Sequence, residues 1–301
     1  MTITKRLLTL CTALAAALLP CYAASPASAG DYISMAARAD SLMVAADWEE
    51  AASQLTATLR AYPANSSNAM LFSNLGVCNR NLRRFPEALE CFQIALVKAP
   101  SSTVVLTNRA KTYLLMDEKA LALDDLETAL KADSTLAEAR TMRAMLRLEK
   151  GDIRGADDDF RHLLERSAKN AGAPHADRDP SATYLKECHG IILAGAARTA
   201  RLQGDNDRAA DLYMETLRNQ PDADTAVEAL LYFLDTDKDL SETQKLIVEQ
   251  ARRHSRDGRI YLCMAALCKK RYQTSEMEAN KKIAKEYGID SQTIDNFLKN
   301  Y

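Results

Sequence analysis

Few residues of this 301-residue chain have types and spacings that could do chemistry. Cys188 and His189 are neighbours and would form a thiolate–imidazole pair if they faced each other. Adjacent residues on a helix point about 100° apart, so they do not. His175 could ligate a metal, but no second ligand stands near it in the sequence. Asp235, Asp237 and Asp239 alternate as carboxylates do in a calcium loop. However, the sixth position of such a loop needs Gly and holds Leu240, and the twelfth needs Glu and holds Leu246. No G-x-S-x-G, H-E-x-x-H, phosphate loop or G-x-G-x-x-G occurs. The chain therefore reads as a non-enzyme, with no cofactor and no metal expected.

Cys78, Cys91, Cys188, Cys263 and Cys268 show no C-x-x-C or zinc-finger spacing. They read as small buried hydrophobes. With 39 basic and 41 acidic residues the net charge is −2, so no excess of cations is available to neutralise nucleic-acid phosphates. Arg83-Arg84 and Lys269-Lys270-Arg271 are too brief to change this. Trp48, the single tryptophan, and Phe85 read as structural wedges.

The elements that position these residues must be helical. Gly and Pro number only 10 and 8, while Ala, the strongest helix former, occurs 50 times. The first residues are different. Lys5 and Arg6 precede an apolar run of thirteen, Leu7 to Leu19, and Ala27-Ser28-Ala29 supplies small residues at a cleavage site. Thirteen residues reach about 20 Å as a helix, short of a membrane's apolar core. Residues 1–29 read as a signal peptide cut after Ala29, leaving an exported, periplasmic chain with no transmembrane segment. Cys21 offers an alternative as a lipidated anchor residue, although Pro20 stands where a small residue is usual.

A period near 34 organises the rest. Ala51, Ala88, Ala122, Ala156 and Ala209 fall in register, and four residues after each stands Leu55, Phe92, Leu126, Phe160 or Tyr213. Twelve before each lies Ala39, Gly76, Ala110, Ala144 or Ala197. Small residues at these places let two helices approach closely while the bulky residue fills the space between pairs. Pro63, Pro100 and Pro221 end second helices. The expected pairs are 32–62, 69–99, 103–133, 137–166 and 190–220. An exposed loop is expected at 167–180, with the loop and helix extension together spanning 167–189 and the helix resuming near Ser181 to run on through Leu202. Residues 224–301 read as degenerate pairs with a capping helix at 290–299. Asp47, Asp117, Asp152 and Asp205 are the expected N-caps, with capping boxes at Ser241/Gln244 and Ser275/Glu278.

These residues resemble the tetratricopeptide repeat family, whose unit reads W-x-x-L-G-x-x-Y, then A-x-x-x-F, then P. Phe72, Leu75, Gly76, Ala88, Phe92, Ala95 and Pro100 sit at its positions in the second copy. The resemblance implies an all-α, right-handed superhelical solenoid of antiparallel helix pairs. It divides the chain into repeats 1–4 at 30–166, repeat 5 at 190–223 and the degenerate remainder at 224–301. It also implies a partner groove lined by residues 2, 5, 9 and 12 of each first helix. These are Ile33, Ala36, Asp40 and Met43, then Met70, Ser73, Val77 and Arg80, then Val104, Thr107, Lys111 and Leu114, then Glu138, Thr141, Met145 and Leu148. Met70, Val77, Arg80, Lys111, Leu114, Met145 and Leu148 are the candidate partner contacts. Their apolar character suits a peptide or amphipathic helix. The leading reading is a protein–protein interaction scaffold of the bacterial cell envelope, with protein partners. The alternative is a lipid-anchored surface protein that binds glycans or solutes.

Overall fold

The computed structural model describes residues 29–170, 179–219, 221–236 and 239–301. Most of the expected leader, with Cys21, lies outside these residues, and so does His175. The described residues are all-α: sixteen helices and no strand. The chain divides into two compact units, one ending at Ser134 and the other running Thr135–Tyr301. That division falls between the third and fourth helix pairs, inside the stretch 30–166 grouped from the sequence.

The first unit holds three packed pairs: α1 (Ala29–Val44) with α2 (Trp48–Ala61), α3 (Asn68–Asn81) with α4 (Phe85–Lys98), and α5 (Thr103–Leu115) with α6 (Lys119–Ala132). The small residues chosen by register fill the contacts, for Ala39, Ala51, Ala88, Ala110 and Ala122 are fully buried. Gly76 is small because the Phe92 ring lies over it: a Cβ there would stand 2.7 Å from Phe92 Cε1. Trp48 is half-buried and packs on the Ala51–Leu55 cluster as a wedge.

Each turn within a pair is closed in the same way. Ala46, Arg83 and Asp117 adopt φ of 58°, 60° and 60°. The following N–H then bonds back five residues: Asp47 to the Leu42 carbonyl at 2.9 Å, Arg84 to Asn79 at 2.8 Å, and Glu118 to Tyr113 at 2.8 Å. This is the Schellman closure, which calls for a left-handed residue just past the helix. Asp117, expected as an N-cap, is instead that left-handed residue, and Glu118 takes the cap position.

The second unit continues with α7 (Ala137–Glu149) and α8 (Ile153–Asn170), α9 (Pro180–Glu187), α10 (His189–Gln203) and α11 (Asn206–Arg218). It then adds α12 (Ala223–Thr236), α13 (Leu240–Arg253), α14 (Gly258–Lys270), α15 (Thr274–Glu286) and α16 (Ser291–Leu298). The helix expected to stop at 166 runs on to Asn170, and 171–178 lie outside the described residues. The helix expected through Leu202 breaks at Cys188, whose φ of −98° and ψ of 10° separate α9 from α10. Gly151, Gly204, Tyr272 and Gly288 supply the left-handed residue at four turns of this unit. Asp205 caps α11 as expected, accepting from the Arg208 N–H. Neither expected capping box forms. Asp239 caps α13 by accepting from the Ser241 and Glu242 N–H groups, because Asp239 holds the extended backbone of a cap while Ser241, two residues on, already lies within the helix. Gln273 occupies the N-cap of α15 and makes no side-chain cap bond.

Candidate functional site

The first helices of the first unit carry the candidate groove. Second position by second position, Ile33, Met70 and Val104 stay 66%, 49% and 50% exposed, one repeat apart. Large aliphatic side chains left open at the same place on three successive first helices form a recurring apolar stripe. The fifth positions do not line an open surface. Ser73 and Thr107 are buried, and the Thr107 hydroxyl donates to the Thr103 carbonyl at 2.7 Å. Ser73 Oγ is buried without a hydrogen-bond partner. At the ninth and twelfth positions Val77, Arg80, Lys111 and Leu114 are half-buried, while Asp40 is exposed and accepts from Asn74 Nδ2 at 3.1 Å. Arg80 reaches from α3 to the Asn108 carbonyl on α5 at 3.5 Å. Met70 and Val77 on α3 and Lys111 and Leu114 on α5 thus share the side of the unit that Arg80 spans.

Met145 and Leu148 hold the corresponding positions of α7 in the second unit. Both are half-buried and pack on the cluster of Ala144, Ala156 and Phe160. Thr141, like Thr107, is buried and bonds the carbonyl four residues back, here Ala137 at 2.9 Å.

Charged residues that lock these first helices were not singled out from the sequence. Arg109 grips Asp125 with Nε and Nη2 at 2.8 and 2.7 Å. Thirty-four residues on, Arg143 grips Asp159 at 2.9 and 2.6 Å, and Arg140 and Arg147 donate to the same carboxylate at 3.0 and 2.9 Å. The Asp159 side chain is 2% exposed. The signal was available as an Arg and an Asp sixteen apart recurring at the repeat period.

The residues screened for chemistry are engaged elsewhere. His189 Nδ1 lies 3.4 Å from Ser167 Oγ and Nε2 lies 3.7 Å from Glu215, the latter beyond hydrogen-bond reach. Burial pushes the Cys78 thiol up to about 11 and those of Cys91 and Cys263 up to about 12, which keeps them protonated and unreactive. Asp235 accepts from the Tyr301 hydroxyl at 2.8 Å, and Asp239 caps α13. No group of three metal-ligating side chains gathers among the described residues, and no described helix is long and apolar enough to cross a membrane.

Comparison with known proteins agrees with this architecture. Residues 36–103, from α1 through α4, match the Tetratricopeptide repeat family. RNA polymerase II-associated protein 3 of Xenopus tropicalis is 30% identical over 87 residues, 29% of this chain and 13% of that protein. The Tetratricopeptide repeat protein 36 homolog of Drosophila pseudoobscura pseudoobscura is 34% identical over 108 residues, 34% of this chain and 58% of that protein. The chain thus spans only part of these relatives' length. A tetratricopeptide repeat protein from Parabacteroides merdae superposes with a TM-score of 0.55 at 21% identity, covering 89% of this chain and 97% of that one. The Pseudomonas aeruginosa pilF structure gives 0.58 at 16% identity, covering 77% and 97%. The described helices therefore share the fold of tetratricopeptide repeat proteins, with the repeat itself matched at 36–103.

Proposed function

We propose that this chain is a non-enzymatic protein-interaction scaffold of the bacterial cell envelope, exported with its leader removed after Ala29. The fold suggests a scaffold, since helix pairs stacked in register offer a rigid face for many shallow contacts. The groove reading rests on one observation: Ile33, Met70 and Val104 stay open at equivalent places on three successive first helices. A partner peptide or amphipathic helix would set apolar side chains against this stripe, with Lys111 and Arg80 giving charge register.

The test places a photoreactive residue at Met70 in the envelope-resident protein, with Val97 on α4 as the control. Val97 is 72% exposed, so accessibility alone does not favour Met70. Discrete adducts at Met70 and none at Val97 support the groove, whereas adducts only at Val97 move the partner to the other face. The same purified protein gives the processing site: an intact mass beginning at Gly30 supports cleavage after Ala29, and a diacylglyceryl mass on Cys21 refutes it.

A further inference from the structure

The three side chains of the first unit's apolar stripe differ in one chemical respect. Ile33 and Val104 at its ends are saturated hydrocarbon, whereas Met70 between them carries a thioether sulfur. Met70 is 49% exposed. Among the described residues Met116 is the one other exposed methionine, and the rest are half-buried. Met116 follows the last residue of α5, about 18 Å along that helix from Val104, so it stands off the stripe.

The thiols of the chain compete poorly for an oxidant. Cys78, Cys91 and Cys263 are buried, which limits access and keeps them protonated, and the thiolate is the form that reacts. Cys188 is half-buried and lies in the second unit. A thioether has no proton to lose first, so access alone governs its oxidation. Access is what Met70 has.

Building on the groove read for this stripe, we propose that Met70 is an oxidation site through which a peroxide-class oxidant switches partner binding off. The thioether sulfur attacks one oxygen of hydrogen peroxide, and the O–O bond breaks. Sulfur gives up two electrons and keeps that oxygen as a sulfoxide, while the other oxygen leaves as water with both protons. The product is polar and chiral where the reduced side chain was apolar and adaptable. A partner's apolar side chain laid across Ile33, Met70 and Val104 then meets an S=O dipole at its middle contact. Seating that dipole against hydrocarbon without a hydrogen bond should weaken binding roughly tenfold. Met70 faces solvent in the free protein, so the fold is spared. Methionine sulfoxide reductases return the thioether, which makes the change reversible.

The experiment uses the purified envelope-resident protein with a photoreactive residue in place of Val104. Cys188 is alkylated beforehand, and hydrogen peroxide is given in graded doses and then quenched. Peptide mass mapping should find Met70 and Met116 converted to sulfoxide well before the half-buried Met145 and Met264. Irradiation in an envelope extract should give adducts at position 104 whose yield falls roughly tenfold as Met70 is oxidised and returns after reductase treatment. The thermal midpoint should hold over the same doses, which separates binding from folding. Met70→Leu, read against its own untreated yield, should lose the response to peroxide, whereas Met116→Leu should keep it. The proposal is overturned if Met70 is oxidised no faster than Met145, or if Met70→Leu responds to peroxide as the parent does. Adducts that persist once Met70 is fully oxidised overturn the switch alone. An untreated protein that gives no adducts at position 104 overturns the groove reading and the switch with it.

Discussion

Arg143 holds Asp159 in the same two-pronged grip that Arg109 places on Asp125 one repeat earlier. Each pair clamps a first helix to the second helix of its own unit, with the carboxylate almost fully buried. Such a pair adds little net stability, because desolvation offsets most of the attraction. Removing one partner is another matter. Asp159→Ala would leave Arg140, Arg143 and Arg147 crowded without their shared carboxylate and should cost about 3–5 kcal/mol. Urea unfolding of Asp159→Ala beside Arg143→Met measures it, and a loss below about 1 kcal/mol for Asp159→Ala would refute the buried clamp.

Gly76 and Phe92 should behave as one steric unit. Gly76→Val forces a branched side chain into the ring and should cost about 1–3 kcal/mol. Phe92→Ala opens a cavity and should cost about 3–5 kcal/mol. Combined, the two changes should cost less than their sum, since each relieves the other's defect. Strict additivity in a double-mutant cycle would show that the ring does not lie over Gly76.

The left-handed turns give a third expectation with opposite signs. Asp117→Gly removes strain at φ 60° but adds freedom to the unfolded chain, for a net gain of up to about 1 kcal/mol. Gly204→Ala, at φ 81°, should instead lose about 1 kcal/mol. Paired thermal denaturation reads both, and destabilisation of Asp117→Gly would count against the turn assignment.

Thiol ionisation sets an alkaline limit. The folded-state values of Cys78, Cys91 and Cys263 are raised above the roughly 8.5 of a free thiol. Stability from keeping them neutral is fully present below about pH 8.5 and is lost as pH rises towards the folded values of about 11 to 12. Stability measured from pH 7.5 to 10.5 should fall, and the fall should flatten in Cys91→Ala. In the native protein, mass spectrometry after brief alkylation should find Cys188 modified well before these three.

The pair architecture was legible because it rests on volume. Ala39, Ala51, Ala88, Ala110, Ala122, Ala144, Ala156, Ala197 and Ala209 are spaced by contact geometry, and every one is fully buried. Turn chemistry was less legible. Asp117 and Ser241 belong to residue types that cap helices, but capping depends on φ and ψ: Asp239 held the extended geometry, while Asp117 turned left-handed and left the cap position to Glu118. Of the positions expected to line a groove, Ile33, Met70 and Val104 are exposed, whereas the fifth positions Ser73, Thr107 and Thr141 are buried. Ser73, Thr107 and Thr141 are polar, yet their small side chains bury, and Thr107 and Thr141 satisfy themselves on their own helix. The clamping pairs escaped notice because Arg and Asp read as surface types until their recurrence at 34 is compared.

In each of the first three pairs the turn is sealed by a bond spanning only five residues, as in Asp47 to Leu42 and Glu118 to Tyr113. A seal this local is complete as soon as its own residues exist, whatever lies downstream. During synthesis, when the chain emerges from its amino end, α1 and α2 can close upon each other before α3 has been made. Each hairpin can therefore close on its own residues and then offer its face to the next. Short closures also keep the search brief, since little loop entropy is spent before the first favourable contact.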